Sequence, residues 1–298
     1  EVKEETAGAL STLAFNSPST QLAIATGLVA LIGAGTADSQ EHVTQLLLTL
    51  ARDPDNRTAI ATAGAIPRLV IQLKGGAGLT SNKAKELAAC VLAHLSNDSE
   101  DNVEAIASAS GIRPLISLLS AESLEAQAQA ASVLADMSRN SKRSKATIIS
   151  EGGIALYVGI ISRQNSKQGL SAAAEAAGAL QSLTAGEPET QKVVTEAGAI
   201  KPLVALLSEE HDTARKKAAG AIASLSEGSQ ENQDAVESFS GVSKLVTLIA
   251  PGVNDEVRAE AASALAVLTR NNKTNQDKIT AAGGIAPLVA VLGLESVR

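Results

Sequence analysis

The side chains in this sequence that could do acid–base or metal chemistry are few and widely separated. The histidines are His42, His94 and His211, and the one cysteine is Cys90. Zinc sites and activated nucleophiles need several such groups in one place, and here only His94 lies close to Cys90 along the chain. Cys90 itself stands in an Ala-Ala-Cys-Val-Leu run, where a thiol packs as a small hydrophobe. The sequence therefore predicts no catalytic residue, no metal and no cofactor, and we expect a protein that is not an enzyme.

The composition argues against several classes of ligand. With a net charge of −7 and a pI of about 5.2, the chain lacks the basic footprint of a nucleic-acid-binding protein. Only 1% of residues are aromatic, so the stacking walls used by many ligand sites are scarce. The glycine-rich segment 75–81 lacks the Lys-Ser/Thr of a phosphate-binding loop and is predicted to be a flexible connector.

The least charged stretch, residues 21–37, is short for a membrane helix and is interrupted by Gly27, Gly33 and Gly35. We expect two short core helices there and no membrane span. A single cysteine is compatible with a reducing compartment. The expected location is the cytoplasm, with the nucleus as an alternative.

One phrase recurs along the chain: a small-residue turn, then Ile or Val, then a Pro/Leu/Val run. Successive anchor positions lie 42 to 46 residues apart, and they are Ile66, Ile112, Ile154, Ile200, Val242 and Ile285. A period near forty indicates a solenoid of stacked helical units, each of which buries its apolar face against its neighbours.

Each unit is predicted to contain three helices of increasing length. The glycine of the phrase can take the left-handed conformation that ends a helix, and the proline at 114, 202 or 287 suits the start of the next one. A longer helix with a 3.6-residue apolar pattern follows, as in the Ala-Gly-Ala-Leu run at 177–180.

The Gly-x-Ile-Pro-Leu-Val and Ala-Leu-x-x-Leu elements resemble the armadillo repeat, and the resemblance covers the whole chain. It implies an all-α fold, a right-handed α-solenoid (superhelix) with three helices per repeat, whose third helices line a concave groove that binds extended protein segments. On this basis we expect one domain over residues 1–298. Its divisions are a partial unit at 1–17, repeats at about 18–52, 53–97, 98–139, 140–185, 186–227 and 228–270, and a partial unit at 271–298.

The chain departs from the import adaptors of this family. Their third helices carry a Trp and an Asn one turn apart. Here the Trp positions hold Gly8, Gln45, Cys90, Ser132, Gly178, Gly220 and Ser263, and the Asn positions hold Thr12, Thr49, His94, Asp136, Ser182, Ser224 and Val267. The chain therefore resembles the vacuolar, plant and protist-like armadillo proteins more than importin alpha, and it predicts a smooth groove of small residues.

Charged residues one turn before the Trp positions of the third helices predict a groove edge that is acidic except for one basic cluster. Glu4, Glu5, Glu41, Glu86 and Glu175 supply the acidic edge, Arg215, Lys216 and Lys217 interrupt it, and Glu260 resumes it. The alternative is an ordinary solvated helix face. The candidate partner-binding residues are Glu41, Gln45, Thr49, Glu86, Cys90, His94, Ser132, Asp136, Glu175, Ser182, Lys216, Lys217, Ser224 and Glu260.

These features predict a non-catalytic scaffold or adaptor that binds a segment of another protein along the groove or rim. The segment is expected to be basic and either extended or helical. The rim is included because two longer loops, residues 74–82 and 162–169, fall on one edge. One alternative is an armadillo segment of a larger signalling or ubiquitin-ligase protein, and another is a nuclear-import adaptor.

The chain ends are predicted to be out of phase. The sequence starts with a third helix, Val2 to Phe15, and finishes near Leu292 with a first and a second helix. We therefore expect an apolar face at each end and head-to-tail self-association, with Leu288, Val291 and Leu292 against Leu10 and Leu13 of a neighbour. The alternative is a fragment of a longer array.

Overall fold

The computed structural model describes residues 9–10, 12–13, 17–75, 80–163 and 166–293. The chain divides into two compact units, Glu1–Glu151 and Gly152–Arg298, and each is described by itself. Within the described residues the regular secondary structure is helical, with no strand. This confirms the predicted all-α fold.

The described residues of the first unit form the helices α1 to α9. They are α1 Pro18–Leu31, α2 Ala37–Ala51, α3 Pro54–Thr62, α4 Ala65–Lys74, α5 Asn82–Ser96, α6 Glu100–Ser108, α7 Ile112–Leu118, α8 Leu124–Asn140 and α9 Lys142–Ser150. From α3 onward they follow the predicted order of first, second and long third helix, with α5 and α8 as third helices.

The described residues of the second unit form the helices α10 to α19. They are α10 Gly153–Ser162, α11 Lys167–Thr184, α12 Pro188–Glu196, α13 Ile200–Leu206, α14 Asp212–Ser226, α15 Gln230–Ser238, α16 Gly241–Leu248, α17 Asp255–Thr269, α18 Lys273–Ala281 and α19 Ile285–Val291. Here the third helices are α11, α14 and α17.

The first repeat departs from the prediction, because α1 is one continuous helix where two short ones were expected. Gly27 lies inside α1, and a single mid-helix glycine costs only about 1 kcal/mol relative to alanine. The chain turns later, at Gly33 and Gly35, which have φ of 85° and 77°. This repeat therefore has two helices, α1 and α2, in place of three.

The corner of each repeat is set by the residue two positions before the anchor Ile or Val. Gly64 and Gly198 occupy that position with φ of 81° and 80°, as the phrase predicts. In two other repeats the left-handed residue at this position is a serine, Ser110 (φ 63°) or Ser240 (φ 61°), and a glycine follows it. The prediction that Gly111 ends its helix in this conformation is wrong, since its φ is −77°.

Gly111 is required for another reason. A Cβ at this position would lie 2.7 Å from Cγ2 of Ile106 and 2.9 Å from its carbonyl oxygen. Gly241 has the same relation to Val236, at 2.4 Å and 2.8 Å. A glycine next to the anchor therefore lets the second helix pack closely onto the first.

Small residues on the third helices let consecutive repeats pack closely. In the second unit, Ala177, Ala179, Ala219 and Ala221 are fully buried. Within each unit the third helices of successive repeats pack directly against each other. The functional side chains are therefore carried on parallel rows of helices one repeat apart.

Several first helices carry an asparagine whose side chain makes a hydrogen bond to the end of the preceding third helix. The side-chain amide of Asn102 donates to the carbonyl of Leu95 at 2.8 Å, and in the second unit Asn232 donates to Leu225 at 2.6 Å. The last carbonyls of a helix lack partners within it, so this bond satisfies one of them and fixes the turn between repeats.

The predicted N-terminal helix over Val2 to Phe15 lies mostly outside the described residues. The residues Glu4, Glu5 and Gly8, for which predictions were made, are outside the described residues. Residues 9–10 and 12–13 are helical. Parts of the two rim loops, residues 76–79 and 164–165, also lie outside.

Candidate partner-binding surface

We define the third-helix surface of each unit as the solvent-facing side of α2, α5 and α8, or of α11, α14 and α17. Every candidate residue predicted from the sequence lies on one of these six helices. They are Glu41, Gln45 and Thr49 on α2; Glu86, Cys90 and His94 on α5; Ser132 and Asp136 on α8; Glu175 and Ser182 on α11; Lys216, Lys217 and Ser224 on α14; and Glu260 on α17.

Three of the candidates are buried and belong to the packing between helices. Cys90, Asp136 and Ser182 are 8%, 5% and 8% exposed. Asp136 accepts a 2.7 Å hydrogen bond from the hydroxyl of Ser96 and is paired with Arg139. Ser182 donates to the carbonyl of Gly178 at 2.9 Å. These side chains hold the third helices in place and do not present polar atoms to a partner.

Burial also sets the chemistry of Cys90. It raises the pKa of the thiol to about 12, and the carboxylates of Glu125 and Glu86 add to the rise. The thiolate is the nucleophilic and metal-binding form. Cys90 is therefore an inert packing residue, as its small-residue surroundings predict.

In the first unit, each acidic candidate is linked to the start of the next third helix. The hydroxyl of Ser81 donates to Oε1 of Glu41 and accepts the N–H of Ala84 at 2.9 Å, so it caps α5. The hydroxyl of Ser123 likewise donates to Glu86 and caps α8. Sequence reasoning missed this link, although a serine before each of these helices was a visible signal of a cap.

The two carboxylates differ in their charged neighbours. Glu86 is paired with Lys83, one turn earlier on α5. Among the described residues Glu41 has only the neutral hydroxyl of Ser81 as a partner. Within the described residues Glu41 is therefore a carboxylate without a paired cation, and it is partly accessible to solvent.

The far end of the same surface is basic, so the surface of the first unit is not acidic throughout. Burial, followed by the positive charges of Arg57 and Arg52, lowers the pKa of the His94 imidazole. His94 and Arg52 lie at the ends of α5 and α2 opposite to those that carry Glu86 and Glu41. The third-helix surface of the first unit is thus acidic at one edge and basic at the other.

In the second unit the predicted basic cluster, Arg215, Lys216 and Lys217, is paired with acidic neighbours. Nζ of Lys217 lies 2.5 Å from Oε2 of Glu175 on the preceding third helix, and Nζ of Lys216 lies 2.7 Å from Oε2 of Glu256 on the following one. Arg215 is close to Asp212 at 3.6 Å. These pairs neutralise much of the local charge that the sequence pattern suggested.

The predicted smooth groove is filled at both of its glycines in the second unit. A Cβ on Gly178 would lie 3.1 Å from Cδ of Lys217. One on Gly220 would lie 2.5 Å from Nε2 of Gln181 and 2.6 Å from Oε1 of Glu260. Long side chains from neighbouring helices therefore cover the glycines, and the surface is not a smooth groove at these two positions.

The remaining candidates are polar and at least partly accessible. Gln45 is exposed, whereas Thr49, Ser132 and Ser224 are half-buried. The hydroxyl of Thr49 donates to the carbonyl of Gln45 at 3.0 Å. Gln45 therefore offers the most accessible amide on α2.

The described residues contain no group of three or more His, Cys, Asp or Glu side chains that could hold a metal ion. His211 has a structural role, since its Nδ1 accepts the N–H of Ala214 at 3.2 Å and caps α14. No single helix in the described ranges is long and apolar enough to cross a membrane, and the consecutive helices α9 and α10 meet that test only when they are joined as a broken segment.

Comparison with known proteins supports the repeat assignment. The family model described as Armadillo/beta-catenin-like repeat matches residues 99–139 and 187–227. These two stretches correspond to α6–α8 and α12–α14, each a set of first, second and third helix. No curated protein matches the chain at a significant level.

Several solved structures share the fold. An engineered protein aligns with a TM-score of 0.78 and 29% identity over 97% of this chain and 69% of its own. A computationally designed armadillo repeat protein for modular peptide recognition aligns with a TM-score of 0.68 and 22% identity, over 81% of this chain and 98% of its own. A designed armadillo repeat protein in complex with the peptide (KR)4 gives a TM-score of 0.67 and 22% identity, over 82% of this chain and 99% of its own.

Proposed function

We propose that this chain, whose helices follow the armadillo repeat pattern, is a non-catalytic scaffold that binds a basic, extended segment of a partner protein on the third-helix surface of its first unit. The observation that carries the proposal is the row formed by Glu41 and Glu86. These carboxylates occupy equivalent positions one repeat apart, and each is bonded to a serine hydroxyl.

Hydrogen bonds to hydroxyl groups orient a carboxylate without cancelling its charge. The acidic candidate at the corresponding end of α11 in the second unit differs, because Glu175 is paired there with Lys217. Among Glu41, Glu86 and Glu175, only Glu41 lacks a paired lysine within the described residues, so it is the carboxylate most available to a cation of a peptide. A designed protein of like fold binds the peptide (KR)4, and this peptide is a suitable probe.

The test is the binding of fluorescein-labelled (KR)4, followed by fluorescence anisotropy, to the whole chain and to the double variant Glu41→Gln/Glu86→Gln. The control is Glu100→Gln/Glu122→Gln, which removes the same charge from exposed residues of the same unit that lie outside the third helices. We expect the groove variant to weaken binding by about three- to tenfold and the control to leave it nearly unchanged.

The salt dependence adds a second readout. Binding should weaken as ionic strength rises, since these charges are partly exposed and are screened by salt. Equal weakening in both double variants would show that only the net charge of the protein attracts the peptide, and this result would contradict the proposal.

A second candidate function is head-to-tail self-association, which the exposed apolar side chains at two places favour. Ile285, Val289 and Leu292 are 55%, 63% and 70% exposed, and Leu13 is 61% exposed. Of the residues predicted for this contact, Leu10, Leu288 and Val291 are half-buried while Leu13 and Leu292 are exposed. We propose that these two patches meet between copies of the chain.

Sedimentation velocity over a range of concentrations tests this contact. We expect the apparent mass to rise with concentration, and to stop rising in Val289→Glu and in Leu13→Glu. Ile71→Glu is the control, because Ile71 on α4 is equally exposed at 63% but lies outside both patches. A mass independent of concentration in the unaltered chain would remove self-association.

A further inference from the structure

A polar cavity of about 480 Å³ lies in the first unit, and the third helices contribute no residue to it. Its walls come from α6, from the start of α7 and from α9 together with the residue that caps it. The lining residues that carry polar or charged side chains are Glu104, Ser108, Ser110, Arg113, Ser141, Arg143, Ser144 and Thr147. Hydroxyl and guanidinium groups dominate, so the cavity is suited to an anion that accepts several hydrogen bonds.

Ser144 places a hydroxyl group on the wall of this cavity. The residue is only 2% exposed, and its backbone N–H donates to the hydroxyl of Ser141 at 3.2 Å. A serine hydroxyl is a hydrogen-bond donor, so an anion in the cavity would accept a hydrogen bond from it.

Two guanidinium groups face the same cavity. Nε and Nη2 of Arg113 donate to Oε1 of Glu151 at 3.0 and 2.8 Å, which holds the group in place and leaves Nη1 available. No partner within the described ranges engages the guanidinium of Arg143, which is exposed. Guanidinium groups make charge-assisted and often bidentate hydrogen bonds to phosphoryl oxygens.

The charges around the cavity favour an anion over a cation. Helix α9 contains Lys142, Arg143 and Lys145 and no acidic residue. The carboxylate on the wall is Glu104, whose Oε1 accepts a long hydrogen bond of 3.4 Å from Ser108. In a chain with a net charge of −7, this is a local concentration of positive charge next to several hydroxyl groups.

We propose that this cavity binds a phosphoryl group, held by Arg113, Arg143 and the hydroxyl of Ser144. The group has two chemical sources, a free phosphate ion and a phosphorylated serine or threonine side chain of another protein. Both present the same oxygens to the site. The proposal does not depend on the third-helix surface, because none of its residues lies there.

Isothermal titration of the whole chain tests the proposal with three probes: inorganic phosphate, a short peptide that contains phosphothreonine, and the same peptide without phosphate. We expect saturable binding of one phosphate ion or one phosphopeptide, and none of the unmodified peptide. Tighter binding of the phosphopeptide would identify a phosphorylated protein as the source. Equal or tighter binding of inorganic phosphate would identify the free ion, and it supports the site equally.

Variants establish which residues bind. Arg143→Gln should weaken phosphate binding by about tenfold, as expected for loss of a charged hydrogen bond, and Ser144→Ala by about threefold. Lys142→Gln is the matched control, since it removes the same charge from the next residue of α9, which does not line the cavity. Ser144→Ala should fold normally, with a melting temperature close to that of the unaltered chain in the absence of phosphate.

Two results would overturn the proposal. One is the absence of saturable phosphate and phosphopeptide binding. The other is equal weakening in Lys142→Gln and Arg143→Gln, which would show that only the general charge of α9 attracts the anion.

Discussion

Lys217 reaches back across one repeat to Glu175, so that its ammonium nitrogen lies 2.5 Å from Oε2 of that carboxylate. The stem of Lys217 passes over Gly178, which has no side chain to obstruct it. The glycine thus serves an ion pair within the protein rather than an approach route for a partner.

The Lys217–Glu175 pair should contribute a small coupling energy to stability. The two side chains are 30% and 23% exposed, and partly exposed pairs are worth about 0.2–1 kcal/mol. A double-mutant cycle with Lys217→Gln and Glu175→Gln, measured by urea unfolding, checks this. The more exposed Lys273–Asp277 pair is the control and should couple less. A coupling energy of zero for Lys217 and Glu175 would show that the pair does not persist in solution.

The serine at φ 61° in the corner before α16 should be replaceable with a gain in stability. Ser240→Gly removes left-handed strain of about 1–2 kcal/mol at an entropic cost of about 0.5–1 kcal/mol, so we expect a net gain of at most about 1.5 kcal/mol. Ser243→Gly, inside α16, should instead destabilise.

The converse change, Gly198→Val, should destabilise by about 1–2 kcal/mol or more, because φ is 80° there. Nothing lies within 4 Å of a Cβ at Gly198, so the effect isolates the backbone. Urea midpoints measure all three variants, and a Gly198→Val midpoint equal to that of the unaltered chain would contradict the assigned corner.

The thiol of Cys90 should be unreactive in the folded protein. Because burial raises its pKa to about 12, the thiolate is scarce at neutral pH and the sulfur is shielded from reagents. We expect negligible reaction with an aromatic disulfide reagent at pH 8, and release of one equivalent after unfolding in guanidinium chloride. Rapid reaction of the folded chain would contradict the buried position of Cys90.

His94 should make the protein less stable as the pH falls. Burial and the charges of Arg57 and Arg52 lower its pKa in the folded state, so the unfolded chain binds a proton more readily. Stability from this residue is present above the unfolded pKa of about 6.5 and is lost as the pH falls below it. Urea unfolding at pH 7.5 and 5.5 should show a smaller pH effect in His94→Gln than in the unaltered chain. An equal pH effect in both would exclude this role.

The sequence predicts most of the fold because its repeated phrase encodes a local event, the corner between two helices, again and again. It fails at α1, where Gly27 resembles a break but lies in a helix whose buried residues, such as Ala25 and Val29, hold it together. The rows of third helices are predictable from the same period.

The surface details are not predictable in the same way. The rotation and spacing of neighbouring helices decide two of these contacts. They are the hydrogen bond between Glu41 and Ser81 and the position of the Gln181 side chain over Gly220. Those quantities follow from packing between repeats, which a single repeat's pattern does not specify.

Photo-cross-linking tests directly whether a partner segment lies on the third-helix surface of the first unit. A benzophenone amino acid is placed at Gln45, which is exposed on α2, or at Ser117, which is exposed on α7 away from the third helices. Each protein is then irradiated with labelled (KR)4. We expect a cross-linked product from position 45 that unlabelled (KR)4 competes away, and little product from position 117. Equal or greater cross-linking from position 117 would contradict the proposed location of the segment.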